Sequence, residues 1–193
     1  VTAITFKMEN KFLVFGCGEF KNDDPKVTYI QCKDERDLLK RFMDEWCLDY
    51  PDIITGWNVK FFDIPYLVNR LTNVFDEAFA RRLSPWNFLA ERNVFIMGRE
   101  QRTYLPSGIA ILDCLELYKK FAPGGQAQES YKLDNIAHVE LHERKLSYDE
   151  YGSLHRLYID NYQKFIEYNI RDVELVDKLN HKHKLVDLAI YLA

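Results

Sequence analysis

Two short stretches hold the residue types best suited to chemistry. In Gly56-Trp57-Asn58-Val59-Lys60-Phe61-Phe62-Asp63, a short apolar run ends in polar and aromatic side chains, and a helical pattern follows. Polar groups at the C-terminal edge of a buried strand are well placed for a site. Asn58 brings an amide, Asp63 a carboxylate, and Phe61 and Phe62 two flat apolar rings. The plain structural account is that Asp63 caps the next helix; that leaves Asn58 and the aromatics unexplained. In Tyr168-Asn169-Ile170-Arg171-Asp172, a phenol and a carboxylate are spaced so that a helix puts them on one face. Such a pair can position one water. Taken alone, the pattern reads first as a solvated Asp beside a half-buried Tyr.

The elements that must position these groups follow from periodicity. Val1 to Phe15 reads as a β-hairpin turning at Glu9-Asn10, and Val27 to Ile30 as a short strand. Asp34 to Tyr50 carries an apolar stripe of Leu38, Leu39, Phe42 and Trp46, so an amphipathic helix is expected, stopped by Pro51. Asp52 to Trp57 reads as a buried strand, and Asp63 to Val74 as a helix with Pro65 tolerated in its first turn. Residues 93–105 read as a second hairpin turning on the polar Gly98-Arg99-Glu100-Gln101. Ile109 to Leu112 is a buried strand. Asp113-Cys114-Leu115-Glu116 reads as a capping box opening a helix to about Phe121. Pro123 to Gln128 is a loop, and helices close the chain, one of them over roughly 158–186. The class expected is α/β, a mixed sheet flanked by helices with an inserted hairpin.

Composition limits the function. The 193 residues hold 26 Lys and Arg against 30 Asp and Glu, a formal charge of -4. That excludes a net-basic, tail-type nucleic-acid binder, and leaves open an enzyme with a local basic groove. No apolar run approaches the roughly 18 residues of a membrane span, and no signal peptide opens the chain. Cys17, Cys32, Cys47 and Cys114 form no C-x-x-C pair and read as reduced thiols of a cytosolic-type protein.

Together the two stretches resemble the second and third exonuclease motifs of family B DNA polymerases. Asn58 and Phe62-Asp63 precede Tyr168 and Asp172 by about a hundred residues, in the family's order. Ile53 to Asn58, Ile64 to Arg70, Ile111 to Phe121 and Tyr131 to Ala137 are similar to that domain, of the T-even phage type, and the likeness covers essentially residues 1–193. It implies a ribonuclease H-like fold and 3′-to-5′ proofreading hydrolysis of DNA. It implies Asp63 and Asp172 as metal ligands, Tyr168 as the residue that orients the attacking water, and Asn58 and Phe62 as contacts to the frayed 3′ strand. The implied cofactors are two Mg²⁺ or Mn²⁺ ions. The implied partners are the single-stranded 3′ end of DNA and the rest of a polymerase chain, in the cytoplasm of an infected bacterium, without a membrane. The chemistry suits the residues. Hard divalent ions take carboxylate oxygens, and aromatic rings stack on any unpaired base.

One departure matters. The family's first motif is Asp-x-Glu on a strand, and the sole Asp-x-Glu here is Asp172-Val173-Glu174, within a helical pattern. Since Val1 is also not an initiator Met, the expectation is a domain incomplete at its N-terminus, with the excerpt inactive alone. The rival reading is a non-catalytic DNA-binding or structural module of a polymerase. A split polymerase with the first motif on another polypeptide is a third. Lesser signals carry less. His138 and His142 are spaced as a metal pair on a helix but lack a third ligand. His181 to Lys184, Lys132 and Arg81-Arg82 read first as solvated surface, with a phosphate contact as the alternative, and Gly124-Gly125 is no phosphate cradle, since no Lys-Ser/Thr follows.

Overall fold

A computed structural model describes residues 1–96, 98–121 and 128–193. In chain order the elements are β1 (Ala3–Met8), β2 (Lys11–Gly16), β3 (Val27–Gln31), α1 (Glu35–Leu48), β4 (Ile53–Gly56), α2 (Asp63–Val74) and α3 (Glu77–Arg81). There follow β5 (Leu89–Ile96), β6 (Arg99–Pro106), β7 (Ala110–Asp113), α4 (Cys114–Phe121), α5 (Leu133–Leu141), a 3₁₀ turn (Asp149–Tyr151), α6 (Leu154–Asp160), α7 (Tyr162–His183) and α8 (Leu185–Tyr191). The mixture of strands and helices is the expected α/β class. The strands are shared among three sheets, ordered β1-β2-β3, β4-β7 and β5-β6.

The contacts divide the chain into two compact units. The first comprises residues 1–42 and 128–182. Its sheet pairs β1 with β2 antiparallel and β2 with β3 parallel. Strand β2 is central, and Val14 and Phe15 on it are wholly buried, as a strand covered on both faces requires. Val14 packs with Val27, Leu157, Phe165, Ile166 and Tyr168 in one apolar cluster. Phe15 meets Phe6 and Phe42 in an aromatic trio with centroids about 6 Å apart.

The second unit comprises residues 43–127 and 183–193. Strands β4 and β7 pair in parallel, with Gly56 opposite Asp113, so the ends of both strands lie side by side. The hairpin β5-β6 pairs antiparallel from Leu89↔Pro106 to Ile96↔Arg99. It is longer than the hairpin read over 93–105, and Arg99, Glu100 and Gln101, read as part of its turn, belong to β6. Strand pairing of Val94 with Gln101 and Phe95 with Glu100 outweighs the polar composition that reads as a turn.

The end of the chain also differs from the single helix read over 158–186. It breaks twice. Asn161 leaves helical geometry, and its Oδ1 accepts from the Lys164 amide, capping α7. Lys184 is left-handed at φ +48° and separates α7 from α8. Apolar periodicity runs across both breaks, which is why it conceals them. The loop expected over Pro123–Gln128 lies, but for Gln128, outside the described residues. Among the described residues no helix is long and apolar enough to cross a membrane, and all four cysteines are free thiols.

Candidate active site

In the second unit the turn after β4 is built from backbone geometry. Asn58 is left-handed at φ +67°, a conformation Asn adopts more readily than most residues. Its carbonyl accepts the amides of Phe61 at 3.3 Å and Phe62 at 3.0 Å. The turn delivers Asp63 to the start of α2 as an exposed residue. The N-cap position is Phe62, without a side-chain cap bond. Asp63 is thus the first helical residue and not the cap, and its negative charge suits the positive end of the helix dipole. Phe62 is 65% exposed and Tyr66 49%. Their rings lie within 5° of parallel with centroids 6.4 Å apart, because an i, i+4 spacing puts both on one face.

The buried Asp113 holds this turn. Its Oδ1 accepts the amides of Asn58 at 3.1 Å and Leu115 at 2.9 Å, and its Oδ2 accepts that of Lys60 at 3.0 Å. The N-cap role read for Asp113 is therefore only part of what it does. Glu116, read as the other half of a capping box, ion-pairs with Lys60 Nζ at 3.0 Å.

In the first unit Tyr168 and Asp172 share a face of α7, as their spacing requires. Lys145, from the segment after α5, joins them. Its Nζ donates to Asp172 Oδ2 at 2.6 Å and to the Tyr168 hydroxyl at 3.2 Å, and lies 5.2 Å from the centre of the Tyr168 ring. Burial lifts the Asp172 carboxyl above the ordinary carboxylate range. The Lys145 ammonium opposes that lift and the Asp134 carboxylate adds to it. Burial works against the charge on Lys145, but Asp172 and Tyr168 outweigh it and its pKa is raised. The two partners thus respond unequally: the pair secures the ammonium without repaying the desolvation of the carboxylate. The Tyr168 phenol is also raised, by burial first and then by Asp172. Tyr148 packs edge-on against Tyr168 at 5.5 Å.

Of the residues singled out in the sequence, Tyr168 and Asp172 fall together in the first unit, and Asn58, Phe62 and Asp63 in the second. His138 is on α5, but His142 is its left-handed cap at φ +57°, so the two do not form a helical pair. Among the described residues no group of three or more His, Cys, Asp or Glu gathers as a metal site. Asp172 Oδ1 is nevertheless buried without a hydrogen-bond partner. A carboxylate oxygen with unused lone pairs fits a hard divalent cation. Sequence reasoning missed Lys145 altogether. It lies in an aperiodic segment, and nothing local marks it.

Residues 5–136 match a family described as DNA polymerase family B, exonuclease domain. The chain belongs to that family. The domain of this family is ribonuclease H-like, in accord with the mixed α/β architecture. The exonuclease domain described here is 38% identical over 165 residues to a DNA-directed DNA polymerase of Escherichia phage RB69, covering 86% of this chain and 18% of the relative. It is 34% identical over 168 residues to that of Enterobacteria phage T4, covering 87% and 18%. It is 36% identical over 155 residues to DNA polymerase 1 of Sulfurisphaera ohwakuensis, covering 76% and 15%. The chain therefore spans less than a fifth of the length of these relatives.

Proposed function

We propose that residues 1–193 serve as the 3′-to-5′ proofreading domain of a DNA-directed DNA polymerase, hydrolysing the terminal phosphodiester of a frayed single strand. Its partners are the 3′ end of DNA and the remainder of a polymerase polypeptide, in the cytoplasm of an infected host. Asp63 and Asp172 would each offer hard oxygen ligands to divalent metal, Mg²⁺ or Mn²⁺. A second ion would need carboxylates beyond these two. When bound, such ions supply charge neutralisation at the phosphate and at the leaving 3′-oxygen.

The residues themselves divide the remaining work. The Tyr168 phenol, kept protonated by its raised pKa, presents a hydroxyl that can orient the attacking water. Asn58 and the exposed Phe62 hold the strand, and a flat apolar ring accepts any base, as proofreading demands. The observation that carries this reading is the unpartnered, buried Asp172 Oδ1 on the same helix face as the Tyr168 hydroxyl.

The test is release of nucleotides from 3′-labelled single-stranded DNA in Mg²⁺ or Mn²⁺ by the polypeptide that carries these residues. Asp63→Ala and Asp172→Asn are each expected to lower release by about 100-fold or more, the scale of losing a key charge stabiliser. Unchanged release in either variant removes that residue from the site. A second reading, a DNA-binding module that does not cleave, is favoured by the Lys145–Asp172 ion pair, in which an ammonium already sits on one carboxylate oxygen. Strand binding without metal-dependent release would select it.

A further inference from the structure

We infer that Asp113 and Thr103 are positioning residues for strand binding, acting through the Lys60 peptide. This rests on the reading of Asn58 and Phe62 as strand contacts. Both residues are polar yet 2% and 1% exposed. A buried carboxylate or hydroxyl is tolerated only when its bonds are made, so the groups each one bonds show what it is kept for. Thr103, on β6, donates from Oγ1 to the Lys60 carbonyl at 2.6 Å. Asp113, at the end of β7, accepts the Lys60 amide on Oδ2 and the Asn58 amide on Oδ1. The amide and the carbonyl of Lys60 are therefore gripped from two different strands. Neither bond lies within a helix or a sheet ladder.

The grip falls where the backbone needs it. Asn58 is held left-handed, and its carbonyl takes the amides of Phe61 and Phe62. If the Asn58 and Lys60 amides lost their acceptor, the turn would relax toward commoner backbone angles, and the Phe62 ring would turn with it. The Thr103 bond also ties the hairpin to this turn.

Conservative variants separate positioning from packing. Thr103→Val keeps the shape and removes the hydroxyl, whereas Thr103→Ser keeps the hydroxyl and loses the methyl. Asp113→Asn keeps the shape but puts an NH₂ where one carboxylate oxygen accepted, so one backbone amide loses its partner. The measurements are amide hydrogen exchange across the turn and affinity for a fluorescent oligo-dT. In Thr103→Val and Asp113→Asn, the amides of Asn58, Lys60 and Phe62 should exchange about tenfold faster or more. Oligo-dT should bind about fivefold more weakly, the worth of one hydrogen bond. Thr103→Ser should restore both. If Asp113→Asn does not fold, the two Thr103 variants carry the test alone.

Wild-type exchange in Thr103→Val, or a larger effect from Thr103→Ser than from Thr103→Val, overturns the inference. Failure of the unsubstituted chain to bind oligo-dT, with exchange altered as expected, instead overturns the assignment of Asn58 and Phe62 as strand contacts.

Discussion

Lys145 Nζ bonds Asp172 Oδ2 at 2.6 Å, and both side chains are about one-quarter exposed. The ammonium is the compensating charge beside a carboxyl whose pKa burial has already raised. From the ordinary carboxylate range up to that raised value stability falls as pH rises, because the folded form holds its proton longer than the unfolded chain; above it the loss is complete. Lys145→Met removes the compensating charge and pushes Asp172 further up. The variant should be less stable at pH 7 by about 1–3 kcal/mol. The deficit should shrink as pH falls through the raised Asp172 value and the carboxyl takes up its proton. Urea unfolding at several pH values checks this, and a deficit independent of pH would assign the loss to packing of the Lys145 stem.

Metal binding should carry the same titration. A ligating carboxylate must be ionised. Mn²⁺ affinity, followed by the paramagnetic signal of the free ion, should rise with pH through the raised Asp172 value. Asp172→Asn should abolish the pH dependence and weaken binding by about tenfold or more. An Asp172→Asn protein that binds Mn²⁺ like the unsubstituted one would place the ligands elsewhere.

Phe62 offers a cleaner separation of binding from stability. At 65% exposed it contributes little to the core. Phe62→Ala should leave the melting temperature nearly unchanged and weaken oligo-dT binding by about 1–3 kcal/mol, the worth of one base–aromatic stack. Phe62→Trp should keep most of the affinity. Fluorescence anisotropy reads both variants, and equal affinity in Phe62→Ala would remove the ring from the strand path.

Gly108 tests the fold around the hairpin. Its φ is +90°, and an added Cβ would meet Pro85 Cγ at 2.8 Å. The proline ring cannot swing aside as a long side chain would. Gly108→Ala therefore combines backbone strain with a clash and should destabilise by about 1–3 kcal/mol. A urea midpoint equal to that of the unsubstituted protein would mean that the loop relaxes at no cost.

Several features were legible in the sequence because they are local. A turn at Glu9-Asn10 between two apolar runs determines the β1-β2 hairpin. The polar-to-apolar rhythm of Asp63 to Val74 determines α2 to the residue. The spacing of Tyr168 and Asp172 places them on one face of any helix, since 3.6 residues complete a turn wherever the helix sits. The family itself was legible in the order of those motifs.

Other features depended on which distant segments the chain brings together. Lys145 reaches Asp172 from across 27 residues, and no period in the sequence connects an aperiodic segment to a helix face. Asp113 looked like a helix cap, which is what its local sequence shows, yet its carboxylate also takes two amides from the turn after β4. That second role exists only because Gly56 pairs with Asp113 across two parallel strands. The breaks at Asn161 and Lys184 were hidden for the same reason. An apolar stripe records which side of a segment meets the core, while the backbone angles at a single residue answer to contacts on both sides of it. Local sequence thus determined the elements and the spacing of the chemical groups. Tertiary structure decided their partners, and with them the charge state of Asp172 and the rigidity of the turn that carries Phe62. Burial and partnering are properties of the space around a group, and residues far apart in the chain create that space.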